Sequence, residues 1–272
     1  MTALLRLEGV RTGFGPTTVL HGVDLTVAAG KATALLGLNG AGKSVTLRTV
    51  AGLVPAWSGG ITFDGRDITK LAAEDRVPLG MSHVTQARGL FPDLSVEENL
   101  RLGAYTLRRT ARARYEPLLA EMFDRFPRLA ERREQRSGTL SGGERAMLAV
   151  ARAMMAEPRL MLVDEPSAGL APRAAEEVLQ MLVDVRSTGV TILVVEQNVR
   201  FALDLADRVN VMRRGQIVLD VPADRLDSAQ LVAELGIGRL LAKRPAAARP
   251  RRRRARPLVA ERRAGRPRGS RG

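Results

Sequence analysis

Three short stretches carry residue types that could hold phosphate and activate water. Gly37-Leu-Asn-Gly-Ala-Gly-Lys43-Ser44 matches G-x-x-x-x-G-K-[ST] in full. Small residues at Gly37, Gly40 and Gly42 let the backbone wrap closely around an anion, and the loop N–H groups from Asn39 and Ala41 onward face it. Lys43 adds a point charge, and the Ser44 hydroxyl suits a hard cation such as Mg²⁺. In Leu160-Met-Leu-Val-Asp164-Glu165, four apolar residues are followed by two carboxylates. At the carboxyl end of a buried strand, Asp164 would hold the Mg²⁺ and Glu165 could orient and deprotonate a water. In Leu140-Ser141-Gly142-Gly143-Glu144, Ser141 and Glu144 form a capping-box pattern. A cap explains Ser and Glu, whereas the glycine pair bares backbone as a phosphate contact would need.

These residues need a parallel sheet with helices to position them. Lys31–Leu36 reads as a buried strand, followed by the Gly-rich loop and a helix from Lys43 to Leu53. Before it, Leu5–Val10 and Thr18–Val27 read as alternating strands around a turn at Gly13–Pro16. Residues 95–155 are rich in Arg, Glu, Leu and Ala at helical spacing, and Ser95 with Glu98 makes a capping box at their start. Strand character returns at Leu160–Val163, Val190–Val195 and Arg208–Arg213, with helices predicted over Pro172–Ser187 and Asn198–Asp207. A hairpin is expected near Arg214-Gly215. These patterns predict an α/β fold with an inserted helical lobe around 95–155.

The 272 residues can bury the core of one large domain, placed at 1–240. The absence of cysteine excludes disulfides and Cys-based metal sites, and two histidines make a His-rich site unlikely. No apolar run reaches the length that spans a bilayer, and the opening residues lack the core of a signal peptide. The formal charge is +14, but residues 241–272 hold thirteen Lys/Arg against one Glu. Removing that +12 leaves +2 for residues 1–240, so the body is nearly neutral. The Pro/Arg-rich segment 241–272 reads as a disordered tail.

Taken together, the loop at 37–44, Leu-Ser-Gly-Gly-Glu ninety-seven residues after Ser44, and Val-Asp-Glu-Pro resemble the pattern of ABC-type ATPases over roughly residues 3–235. The resemblance implies the fold, an α/β P-loop NTPase core with an antiparallel β subdomain and an inserted helical subdomain at about 90–157. It implies ATP and Mg²⁺ as ligands, ATP hydrolysis, and a second ATPase subunit whose nucleotide is capped by Ser141, Gly142 and Gly143. It also implies that Phe14 stacks on adenine, that Gln86 senses Mg²⁺ and the γ-phosphate, that Ser167–Ala171 crosses to the partner, and that Gln197 is the switch residue. Departures are Gln197 where relatives usually carry His, Ala171 where Asp is usual, and Val45 where Thr or Ser is common. At Val45 only the backbone N–H remains for phosphate.

Leu90-Phe-Pro-Asp-Leu-Ser-Val-Glu-Glu-Asn-Leu, Glu-Pro-Ser-Ala-Gly-Leu-Ala-Pro and Val-Glu-Gln-Asn are similar to the smaller ATPase subunit of branched-chain amino acid importers. That implies two permease subunits, an extracytoplasmic substrate-binding protein and a place on the cytoplasmic face of the membrane. Import of amides or urea, export, or an ABC-type ATPase acting on nucleic acid are the alternatives. For the tail, a solvated extension, contact with anionic lipid, and nucleic-acid binding stay open, the last weakened by the lack of aromatics to stack bases. His21 and His83 are read as loop or strand-edge residues without a role.

Overall fold

The computed structural model describes residues 2–106, 114–226 and 231. The first strands turn where Gly15 adopts φ +51°, a conformation that an L side chain resists. Strand β1 (Ala3–Phe14) thereby folds back on β2 (Thr17–Ala28). Both run longer than the sequence pattern suggests, because irregular register along the pair lets the strands continue through Gly9 and Gly22. β4 (Ser58–Phe63) pairs with the other side of β1 and β5 (Arg66–Asp67) adds to β4, giving an antiparallel sheet of order β2-β1-β4-β5.

The second sheet has the order β10-β9-β3-β8-β7-β6. Its parallel members are β3 (Ala32–Leu36), β6 (Met81–Val84), β7 (Leu160–Asp164), β8 (Thr191–Glu196) and β9 (Arg208–Arg213). β10 (Gln216–Pro222) closes the edge as the antiparallel hairpin partner of β9. β3, β7 and β8 are buried at every position, as expected of parallel strands covered on both faces.

Side chains alternate between two cores. Met161, Val163, Ile192 and Val194 face the helices α6 (Gly142–Met154), α7 (Pro172–Ser187) and α8 (Val199–Leu205). Leu160, Leu162, Leu193 and Val195 face β1, β2, β4 and α1 (Lys43–Val50). Helix α7 has the bounds predicted from the sequence. Helix α1 stops three residues short of the predicted Leu53. Gly52 sits at φ +79°, and the guanidinium of Arg76, at the end of α2 (Ala73–Arg76), donates to the Thr49 and Val50 carbonyls at 2.9 and 2.8 Å.

Between β6 and β7 lie α3 (Val96–Gly103), α4 (Tyr115–Arg125), α5 (Pro127–Ala130) and α6. Both predicted capping boxes, Ser95 with Glu98 and Ser141 with Glu144, are formed. Buried Asn99 ties this region together by donating to the Phe91, Leu94 and Ser95 carbonyls and to Ser137 Oγ. The basic segment 241–272 lies outside the described residues.

Candidate active site

Gly37 follows β3 directly. A Cβ there would lie 2.5 Å from the Met212 carbonyl oxygen on β9, so the loop can leave the sheet here only as glycine. Gly40 (φ +77°) and Gly42 (φ +108°) supply the left-handed turns that lead into α1. The first i to i−4 bond of that helix is Thr46 N–H to Gly42 O, so the Lys43, Ser44 and Val45 amides have no acceptor within the helix. The Val45 side chain packs into the core beneath α1, and the neighbouring Thr46 hydroxyl is turned back onto Gly42 O at 3.0 Å. At position 45 the side chain is turned into the core, and only the backbone N–H is left on the loop side.

Four side chains converge on Glu165 and its neighbour. Lys43 Nζ, on a side chain only 4% exposed, donates to the Gly37 and Leu38 carbonyls and lies 3.4 Å from Glu165 Oε1. Gln86 Nε2 donates to Glu165 Oε2 at 3.0 Å, and Gln197 Nε2 donates to Glu165 Oε1 at 2.7 Å. Gln197 Nε2 also donates to Asn39 Oδ1 at 2.5 Å, joining the loop after β8 to the phosphate-type loop. Ser44 Oγ donates to Asp164 Oδ1 at 2.9 Å. Burial raises the Asp164 carboxyl above its ordinary range, and the Ser44 hydrogen bond opposes that shift.

Glu165 itself has φ +46°, an uncommon backbone for a residue with a side chain. The chain turns sharply there as it leaves β7, which aims the carboxylate across the strand ends. A bond from Glu165 N–H to the Val195 carbonyl holds that turn at 3.0 Å.

A hydroxyl and a carboxylate in contact at the end of β7, with an amide oxygen available from Gln86, make an all-oxygen donor set. It fits Mg²⁺, which takes few protein ligands when phosphate oxygens and waters complete its shell. No group of three or more His, Cys, Asp or Glu suited to a metal occurs among the described residues.

Phe14 ends β1 and is 52% exposed. Gly13, just before it, lies under the Trp57 ring, where a Cβ would come within 2.8 Å of Cη2. Ser141, Gly142 and Gly143 begin α6, and no hydrogen bond or ion pair of the described residues joins them to the loop at 37–44. Their glycines have a packing cause beyond phosphate access. A Cβ on Gly143 would lie 2.9 Å from Ala174 Cβ in α7, and one on Gly142 would lie 3.3 Å from the Leu170 side chain.

Two features escaped the sequence reading. A cavity of about 610 Å³ beside Gln86 is lined by Arg88, Ser137, Gly138, Arg145 and Gly169. No local pattern announces it, because its walls come from four separate segments. The second is Glu196, which ends β8 and is 2% exposed. Its Oε1 accepts from Ser167 N–H at 2.9 Å, and its Oε2 accepts from the Gln197 and Asn198 N–H groups at 3.0 Å each. An acid closing the apolar run Ile192–Val195 was the available signal, the same one that marks Asp164.

The family model described as ABC transporter matches residues 20–168. The chain is 41% identical over 216 residues to the high-affinity branched-chain amino acid transport ATP-binding protein BraG of Pseudomonas aeruginosa, covering 79% of this chain and 91% of that protein. It is 34% identical to the probable branched-chain amino acid transport ATP-binding protein LivF of Archaeoglobus fulgidus, covering 86% and 99%. Among solved structures it is similar to the ADP conformation of MJ1267, an ATP-binding cassette of an ABC transporter, with TM-score 0.76 and 27% identity, covering 88% of this chain and 100% of that one.

Proposed function

Because this chain belongs to the ABC transporter family and is an ATP-hydrolysing cassette, we propose that it powers uptake of branched-chain amino acids across the cytoplasmic membrane. The observation that carries the cargo is the 41% identity extending over 91% of BraG. In this reading residues 1–240 form the ATPase domain, with the segment at about 90–157 as its helical lobe. The subunit is peripheral and sits on the cytoplasmic face. It works with a second ATPase subunit, two permease subunits and, indirectly, an extracytoplasmic binding protein. No helix of the described residues is long and apolar enough to cross a membrane.

Phe14 stacks on adenine. The amides of Asn39, Gly40, Ala41, Gly42, Lys43, Ser44 and Val45 and the Lys43 ammonium bind the β- and γ-phosphates. Ser44, Asp164 and Gln86 would hold Mg²⁺, whose contribution is to neutralise charge on the phosphate oxygens. Glu165 takes the proton of a water whose oxygen attacks the γ-phosphorus. The bond to the β–γ bridging oxygen breaks, and its electron pair leaves with ADP. Gln86 and Gln197, both bonded to Glu165, hold that carboxylate in place to accept the proton of the attacking water. Ser141, Gly142 and Gly143 cap the γ-phosphate held by the partner's loop.

The test is uptake of radiolabelled leucine, isoleucine, valine and urea in cells carrying Lys43→Ala in the native gene. Loss of branched-chain uptake alone supports the proposal. Loss of urea uptake alone keeps the motor and changes its cargo. Unchanged uptake of all four refutes the cargo assignment.

A further inference from the structure

Glu196 is a buried carboxylate for which the proposed ATPase cycle has no use. It makes no ion pair among the described residues, and three backbone N–H groups satisfy it. Those amides belong to two different loops. Ser167 lies in the segment that follows Glu165, and Gln197 and Asn198 form the turn into α8, which Asn198 caps by accepting from Phe201 N–H. One carboxylate thus fastens the turn that aims Glu165 to the turn that carries Gln197.

We infer that Glu196 is a positioning residue that fixes the relative placement of Glu165 and Gln197 and links both to the segment Ser167–Ala171. Three independent contacts converge on this junction. Glu165 N–H is held by the Val195 carbonyl, immediately before Glu196. Ser167 N–H, two residues past the strained Glu165, is held by Glu196 Oε1. Gln197, whose own N–H is held by Glu196 Oε2, returns its side chain to Glu165 Oε1. The ring Glu165–Ser167–Glu196–Gln197–Glu165 is closed. A shift of Gln197 therefore moves Ser167 through a single side chain, and a shift of Ser167 moves the carboxylate that faces water.

The chemistry requires an acid here. A carboxylate presents acceptors on both oxygens, so it can serve two loops of donors at once. Glutamine has the same shape but sets an NH₂ against one of the loops, replacing an attractive contact with a donor–donor clash. An uncharged hydroxyl is too short to reach both. Because displacements of about 1 Å in a reacting group can cost on the order of a hundredfold in rate, the effect falls on turnover. No hydrogen bond or ion pair of the described residues joins Glu196 directly to the loop at 37–45. Its link to that loop runs through Gln197 and Asn39, so binding of ATP is expected to change less than turnover.

This inference rests on Glu165 as the water-activating group. Its test is a cycle of Glu196→Gln, Glu165→Gln and the double variant, made in the full chain co-expressed with its partner subunits. Single-turnover hydrolysis of radiolabelled ATP and the Kd for a fluorescent ATP analogue are read for each. Glu196→Gln alone is expected to slow hydrolysis about tenfold or more, with Kd changed less than about twofold. In the Glu165→Gln background it is expected to change the residual rate less than about twofold, since its route of action is already gone. An unchanged rate in Glu196→Gln overturns the inference, as does a loss of equal size in both backgrounds or a Kd that weakens in step with the rate. Glu165→Gln turning over at the wild-type rate would instead refute the role of Glu165 itself. If Glu196→Gln fails to fold, Glu196→Asp keeps the charge but withdraws it by one methylene, and the same readings decide.

Discussion

Replacing His83 with leucine should remove a large part of the chain's sensitivity to mild acid. His83 sits on β6 with Nε2 buried and without a hydrogen-bond partner, and burial together with the nearby Arg48 charge lowers its pKa from 6.5 to about 4. The folded protein therefore keeps this imidazole neutral, while the unfolded chain binds a proton below about pH 6.5. Stability from His83 is complete above pH 6.5 and declines as the pH falls from 6.5 toward 4, because the unfolded state then holds more protons. Between pH 7.5 and 5.0 these two pKa values correspond to a loss of about 2 kcal/mol, approaching roughly 3 kcal/mol below pH 4. Urea denaturation of wild type and His83→Leu at the two pH values gives the comparison. Carboxylate titrations act on both proteins alike and cancel in the difference. Leucine forfeits no hydrogen bond at Nε2, so the variant should fold at pH 7.5. Equal losses in the two proteins between pH 7.5 and 5.0 would refute the reasoning.

Three further outcomes are expected. Arg76→Met should cost about 3 kcal/mol in denaturant unfolding, because it strips the Leu71, Thr49 and Val50 carbonyls of their guanidinium donor in a site 3% exposed. Gly37→Ala should weaken binding of a fluorescent ATP analogue and lower stability by about 1–3 kcal/mol, since its Cβ meets the Met212 carbonyl of a neighbouring strand. Gln197→Ala should slow hydrolysis without altering the shape of the pH–rate profile between pH 6 and 8, because an amide does not titrate there. An inflection near pH 6.5 that disappears in Gln197→Ala would contradict that assignment.

The phosphate-type loop was legible because its chemistry is local: three glycines, a lysine and a serine fall within the eight residues Gly37–Ser44, close enough along the chain to surround one anion. Helix α7 was legible to the residue, since Pro172 opens it and Gly189 follows it. β4, β5 and β6 went unseen for physical reasons. Ser58-Gly-Gly begins β4 with residues that have no strand preference, β5 has two residues, and Met81-Ser-His-Val is a strand only because β7 pairs with it. The contacts that gather Gln86 and Gln197 onto Glu165 span 79 and 32 residues. Periodicity carries no information at that separation, and those two glutamines were found through resemblance. Glu196 shows the limit from the other side: its type and place were visible, but the three amides that give it meaning were not.

The alternation of β3, β7 and β8 between two cores also bears on how such a chain can change over generations. A strand with solvent on one face can drift freely at every second residue. Here Leu35 and Leu36, Leu162 and Val163, and Leu193 and Val194 each commit neighbouring positions to opposite cores, so the strands offer no neutral position. A single inserted residue would exchange the two cores and carry Asp164 or Glu196 out of place in the same step. Heritable novelty is therefore pushed to the strand ends, the surface loops and the outer faces of the helices.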